Sequence, residues 1–332
     1  MSEKEKTLEL VDLKKYYPIK KGLLQKVVGH VKAVDGVSFH INKGETFGLV
    51  GESGCGKSTT GRTILRLIEP TDGKIIFDGV DVATLSKSEM RNMRKNMQLV
   101  FQDPYSSLNP RMTVSQLIAE PIIENKILTK KADIEKRVLE LMGTVGLTER
   151  LVNTYPHELD GGRRQRIGIA RALAMNPKFI VCDEPVSALD VSIQAQILNL
   201  LKKLQKELGL TYIFITHDLS VVNHFSDDIV VMYLGQIIEK APTEELFAHP
   251  LHPYTQALLS AIPIPDVDIH EERILLKGEI SSPIEPPDEC RFAKRCNYVC
   301  EDCRKATPKL VEVSPGHFVA CPYYNKLRKA ED

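Results

Sequence analysis

The chain has no tryptophan, an aromatic content of only 6%, no excess charge of either sign, and two cysteines before residue 289. Each shortage removes a class of protein. Lysine plus arginine and aspartate plus glutamate both total 44, so net charge is zero and no global attraction to nucleic acid or an anionic membrane exists. A local basic patch stays open. The opening stretch MSEKEKTLEL is charged where an export signal needs an apolar run, which argues against export. Apolar runs such as 179–182 and 212–215 fall far short of the ~20 residues that cross a bilayer. Membrane association must therefore go through a partner. Of seven cysteines, five follow residue 289, and without export they are better read as reduced thiols or metal ligands than as a disulfide framework.

What is present is enough for about two domains at roughly 150 residues each, since 332 residues with 42% apolar content can bury sizeable cores. Val37, Phe39 and Ile41 alternate with polar neighbours, predicting half-buried strands around a turn at Asp35-Gly36. A short apolar run at 46–50 enters a glycine-rich turn and then a helix from about Ser58 to Leu67. The pairing of strand and helix returns: 179–182 is a buried strand, Ser192 can cap a helix striped by Ile193, Ile197, Leu200, Leu201, Leu204 and Leu208, and 212–215 resumes strand after Gly209. Such alternation predicts an α/β fold with a mainly parallel sheet and ligand at the carboxyl ends of its strands. Between 103 and 160 strand signals give way to helix periods such as Ile134 to Leu147, predicting a helical insertion. After about Ala241 prolines crowd in, at 242, 250, 253, 263, 265, 283, 286 and 287, and a loop-rich C-terminal region begins.

Gly51-Glu52-Ser53-Gly54-Cys55-Gly56-Lys57-Ser58 matches a phosphate loop and lies between a strand and a helix, as that motif requires. Glycines let backbone N–H groups turn around a β-phosphate, Lys57 reaches β and γ oxygens, and Ser58 offers a hydroxyl to magnesium. The strand 179–182 ends in Asp183 and Glu184, adjacent carboxylates that point different ways in an extended backbone. Asp183 is then placed to hold magnesium through water, and Glu184 to polarise an attacking water as general base.

Leu159-Asp160-Gly161-Gly162-Arg163-Arg164-Gln165-Arg166 resembles the signature motif of the ATP-binding cassette (ABC) family. Gln102 after the strand 97–101 looks like its Q-loop, Ser187 to Asp190 like its D-loop, and His217 like its switch histidine. The resemblance implies a P-loop NTPase cassette with a RecA-like core, an antiparallel β subdomain and a helical subdomain at about 103–160, the whole spanning 1–240. It further implies that two cassettes close head to tail on ATP, each phosphate loop facing the other subunit's Asp160, Gly161 and Gly162. Gly51, Ser53, Gly54, Cys55, Gly56, Lys57, Ser58 and Thr59 would hold the phosphates, and Ser58, Gln102 and Asp183 the Mg2+. Glu184, His217 and Lys57 would act on the γ-phosphate, and Asp190 would line the opposing subunit. Tyr17 would stack on adenine, with Tyr16 as the alternative.

His252-Pro253-Tyr254-Thr255 and the tail cysteines resemble the extension, here 241–332, of oligopeptide and dipeptide importer ATPases, in particular the second of their two unlike ATPase subunits. By that resemblance Cys290, Cys296, Cys303 and Cys321 would ligate a 4Fe-4S cluster, zinc being the alternative, and Cys300 would be spare. A core-poor segment needs such a staple. Cys55 and Cys182 read as small packing residues. The implied partners are a second, unlike ATPase, two membrane permeases and, indirectly, a peptide-binding protein, on the cytoplasmic face of the membrane. No nucleic acid and no direct peptide contact are expected. The permeases would dock on 102–124, including Pro104, Tyr105 and Asn109. A soluble cassette ATPase of translation or DNA repair is the competing reading, against which stand the single cassette and the lack of sustained heptads. One departure from the family stands out: Asp160 replaces the usual serine and Arg163 the usual glutamine.

Overall fold

A computed structural model describes residues 5–262, 273–279 and 281–325. The chain forms two compact units, one from Met1–Thr7, Asn42–Glu45 and Thr84–Ile215, the other from Leu8–Ile41, Thr46–Ala83 and Thr216–Asp332.

In the first unit the strand Phe179–Asp183 lies between Met97–Val100 and Thr211–Thr216, parallel to both. Its residues are buried throughout, which is why it reads as an apolar run without alternation. The helix Val191–Leu208 buries Ile197, Leu200, Leu201 and Leu204 and stops at Gly209, whose φ of 64° suits glycine. Its cap is Asp190, which accepts the Ile193 N–H at 3.2 Å, and not Ser192 as the sequence suggested. An aspartate two residues earlier reaches the same first-turn donors. The helical insertion is present as Pro104–Ser107, Val114–Glu124 and Lys131–Thr144 with short 3-10 turns between it and Gly161–Leu173.

In the second unit an antiparallel sheet runs in the order Lys26–Asn42, Lys6–Lys21, Asp72–Phe77, Val80–Asp81. The expected turn at Asp35-Gly36 is not there: one strand continues through it, with Gly36 at φ 79° absorbing a local kink. Thr46–Val50 pairs in parallel with Asp228–Tyr233, which pairs with Gln236–Pro242, and the tail strand His317–Val319 adds to that edge. The helix after the glycine loop is Lys57–Ile64, shorter than expected. His317 is buried between Glu239 at 2.9 Å and Glu245 at 3.3 Å, while the Glu239 carboxylate accepts the N–H groups of Leu251 and His252. Burial opposes charge on His317, yet the two carboxylates outweigh it and hold its pKa above the ordinary value. No helix among the described residues is long and apolar enough to cross a membrane.

Candidate nucleotide site

The phosphate loop leaves a wholly buried strand, and its shape is dictated by glycine. Gly56 has φ 109°, and a Cβ there would stand 2.2 Å from the Ala33 carbonyl oxygen. Gly51, at φ 146°, would place one 2.3 Å from the Met232 oxygen. No other residue type fits either position. Lys57 is buried, and its ammonium donates to the carbonyls of Gly51 at 2.7 Å and Glu52 at 3.0 Å. Its third donor faces the Cys55 sulfur at 3.9 Å, a weak acceptor that an anion can replace. The helix Lys57–Ile64 has no side-chain cap, and its positive N-terminal end follows directly on the loop, where an anionic ligand is favoured. Ser53 and Gly54 are exposed, Ser58 and Thr59 half-buried. Burial raises the Cys55 thiol, consistent with a packing role.

The C-terminal tail grips this loop, a feature that sequence reasoning missed. The Glu52 N–H donates to the Tyr254 hydroxyl at 2.8 Å, and the Glu52 carboxylate accepts both terminal nitrogens of Arg295 at 2.6 and 3.1 Å. Arg295 is only 8% exposed. Behind it Tyr233, Tyr254 and Phe292 pack edge to face in a closed triad. A second arginine, Arg291, bonds Asp35 and the Leu234 carbonyl, and Asp35 also accepts the Tyr16 hydroxyl. Tyr16 is thereby committed, whereas Tyr17 is 37% exposed with the Lys15 ammonium 5.0 Å from its ring centre. The linear signal that could have flagged this is slight: two arginines interleaved with Cys290 and Cys296, and an acid inside the loop.

The first unit carries the carboxylates. Asp183 is buried at its strand end, but Glu184 is not extended as expected: its φ is 47°, and its N–H bonds the Ile215 carbonyl at 3.0 Å. Left-handed backbone at a non-glycine residue is strain of the kind that functional sites retain. The Gln102 amide donates to the Glu184 carboxylate at 2.9 Å, a pairing the sequence did not suggest. Within this unit Gln102 and Asp183 offer an amide oxygen and a carboxylate, and in the second unit Ser58 offers a hydroxyl; each is a hard oxygen donor of the kind that suits Mg2+.

Asp160 caps the helix Gly161–Leu173 by accepting the Arg163 N–H at 2.8 Å, and its other oxygen meets the Arg163 guanidinium at 2.7 Å. The two departures from the family pattern thus form one ion pair. Gly161 and Gly162 pass close to the following segment, where a Cβ would lie 2.9 Å from Leu189 and 2.7 Å from Ile193. Asp190 caps the next helix, and in the second unit His217 is exposed, directly after a strand. The 102–124 segment borders a groove of about 1110 Å³ lined by Met112, Ala119, Ile123, Ile134 and Leu139. Tyr105 is exposed with the Arg164 guanidinium 4.3 Å from its ring centre, Asn109 is exposed, and the side chain of Pro104 lies outside the described residues.

Among the described residues no three His, Cys, Asp or Glu side chains gather as a metal-ligand group, so the thiols meant for a cluster are not assembled as one. Cys300, expected to be spare, has its sulfur 3.5 Å from that of Cys303. Burial raises Cys290 to about 11 and Cys321 to about 12, and also raises Cys296 and Cys303, while hydrogen bonds from Cys303 lower Cys300.

Residues 34–187 match the family described as ABC transporter, and residues 238–303 match the C-terminal region of oligopeptide and dipeptide transporters. The oligopeptide transport ATP-binding protein AppF of Bacillus subtilis is 54% identical over 98% of this chain and 99% of its own. A putative oligopeptide transport ATP-binding protein of the same organism, YkfD, is 56% identical over 91% of this chain and 92% of its own. A solved dimeric ATP-binding cassette with ADP and phosphate shares 32% identity at a TM-score of 0.63, covering 71% of this chain and 98% of that one.

Proposed function

The chain belongs to the ABC transporter ATPases, among the oligopeptide transport ATP-binding proteins, and from that membership we propose how its residues divide the work of ATP-driven peptide import. It is an ATP hydrolase of a peptide transporter, a peripheral subunit whose place at the membrane is given by permease partners. The phosphate loop holds the β and γ phosphates through backbone N–H groups and the Lys57 ammonium. Ser58, Gln102 and Asp183 would hold Mg2+, which when bound neutralises charge between the phosphates. Glu184 accepts the proton of the attacking water, Gln102 orients Glu184, and His217 contacts the γ-phosphate. Tyr17 stacks on adenine, an assignment supported by the commitment of Tyr16 to Asp35. Gly161, Gly162 and Asp190 serve the site of a second cassette.

The observation that carries this reading is the phosphate loop itself, with glycines that only a close backbone approach explains and a buried lysine turned onto its rim. Three finer assignments rest on family resemblance: an unlike second ATPase in a head-to-tail dimer, permease docking on the 102–124 segment, and a 4Fe-4S cluster, or zinc, on Cys290, Cys296, Cys303 and Cys321. Purification of the tagged chain from native membranes tests the assembly. Two permeases and a second, unlike cassette are expected, and recovery of ribosomes or DNA would overturn it. Iron and acid-labile sulfide in anaerobically purified chain test the cluster, and stoichiometric zinc without iron would replace it.

A further inference from the structure

Strands Lys6–Lys21 and Lys26–Asn42 are joined by a tight turn in which the Gln25 N–H bonds the Gly22 carbonyl at 3.1 Å. Gly22 and Gln25 both take left-handed backbone, at φ 74° and 50°, and Leu23 and Leu24 form the crest between them. Leu23 is 105% and Leu24 87% exposed, the two most exposed large apolar side chains among the described residues. Val27 and Val28 follow at 51% and 55%. Turn chemistry does not ask for leucine here, since glycine, asparagine and aspartate fit such positions better and cost no wet apolar surface.

The charge around the crest is as one-sided as its surface is apolar. From Leu13 to Val34 there are six lysines and no acidic residue, in a chain whose net charge is zero. Lys20, Lys21 and Lys26 flank the turn directly and are exposed. Carboxylates meet this ribbon at other points, Asp12 and Asp72 at Lys14, and Glu285 at His30. An apolar tip inside a cationic collar has a specific complement. Nucleic acid would satisfy the lysines and leave the leucines in water. An apolar protein groove would take the leucines and leave the lysines unpaired. A bilayer surface with acidic headgroups takes both, leucines at the headgroup–acyl boundary and ammonium groups among the phosphates.

We propose that this hairpin tip is a direct contact with an anionic lipid bilayer, made by Leu23 and Leu24 with Lys20, Lys21 and Lys26. It goes beyond the permease-mediated attachment above and alters the expectation that membrane association comes only through partners. The contact is weak alone, because two leucines and three lysines give reversible binding, and it adds to the avidity of an assembled complex.

The absence of tryptophan supplies the test. In the full chain, Leu24→Trp introduces the sole indole, at the crest. Its emission should shift to the blue with vesicles of phosphatidylcholine mixed with phosphatidylglycerol, not with phosphatidylcholine alone, and the shift should fade as salt rises. Sedimentation of the otherwise unaltered chain with the anionic vesicles should fall by about tenfold in the double variant Leu23→Ser with Leu24→Ser. It should fall by about fivefold for each of Lys20, Lys21 and Lys26 changed to Gln. ATP binding should stay unchanged in all of them, which separates this contact from the nucleotide site. No cosedimentation of the unaltered chain, equal binding to both vesicle types, or a blue shift that appears only with purified permeases would each overturn the proposal.

Discussion

The phosphate loop and the carboxylate-bearing strand end, one in each unit, are both proposed to serve the nucleotide, yet they are built from different material. The loop is backbone: Gly51 and Gly56 occupy conformations that side chains would obstruct, and even Lys57 is turned onto carbonyls of its own loop. The strand end is side chain: Asp183, Glu184 and the Gln102 amide that reaches Glu184. Backbone sites are stiff and tolerate few substitutions, whereas side-chain sites keep their shape through conservative change and lose only chemistry. Mutations should therefore fail differently in the two places.

The largest effect is expected where chemistry alone is removed. Glu184→Gln keeps the volume and can still accept from Gln102, but it cannot take the proton of water. Turnover in the assembled transporter should fall by roughly a hundredfold to ten-thousandfold with ATP affinity retained. Wild-type turnover would remove Glu184 from the base role. Gly56→Ala should fail the other way, losing ATP affinity by more than about tenfold, since φ 109° and a carbonyl 2.2 Å from the new Cβ force the loop to move. Equilibrium binding of a fluorescent ATP analogue measures it, and unchanged affinity would refute the backbone account.

The same contrast explains what was legible in the sequence. Strand, glycine loop and helix follow from local pattern, and the buried strand 179–183 from its unbroken apolar run, because these are properties of neighbours in sequence. The left-handed Glu184 was not legible, since its backbone is fixed by the Ile215 carbonyl from a different strand. Nor was the Asp35-Gly36 kink, which looked like a turn although Asp35 is held by Tyr16 and Arg291 inside one continuous strand. The tail cysteines were legible only through resemblance. Four thiols spread over 32 positions, 290 to 321, carry no local rule that gathers them.

A smaller effect separates backbone stiffness from its support. Arg295→Gln removes the fork that holds Glu52, and the loop should lose ATP affinity by about five- to tenfold while keeping its fold. Glu52→Gln should act alike, and the double variant should be no worse than either, because both break one contact. Additive losses would show that Arg295 acts elsewhere.

The smallest effect concerns Asp160. A unit charge about 4 Å from a phosphate charge costs on the order of 4 kcal/mol at an effective dielectric near 20, and a bare carboxylate in the signature would weaken a composite ATP site by about a thousandfold. The carboxylate is not bare. One oxygen is spent on the Arg163 N–H as the helix cap, and the other faces the Arg163 guanidinium at 2.7 Å. Both side chains are about half exposed, 54% for Asp160 and 49% for Arg163, so water screens what the arginine leaves. Serine caps a helix about as well as aspartate, and Asp160→Ser leaves the helix intact. It also supplies a hydroxyl donor while freeing Arg163 to face a phosphate. These changes favour closure, but only by the residue of a charge already neutralised. ATP-driven self-association of the purified Asp160→Ser chain should tighten by less than about fivefold. A gain of a hundredfold or more would mean that Arg163 does not offset the carboxylate in the closed dimer, and that the signature of this chain is electrostatically impaired after all.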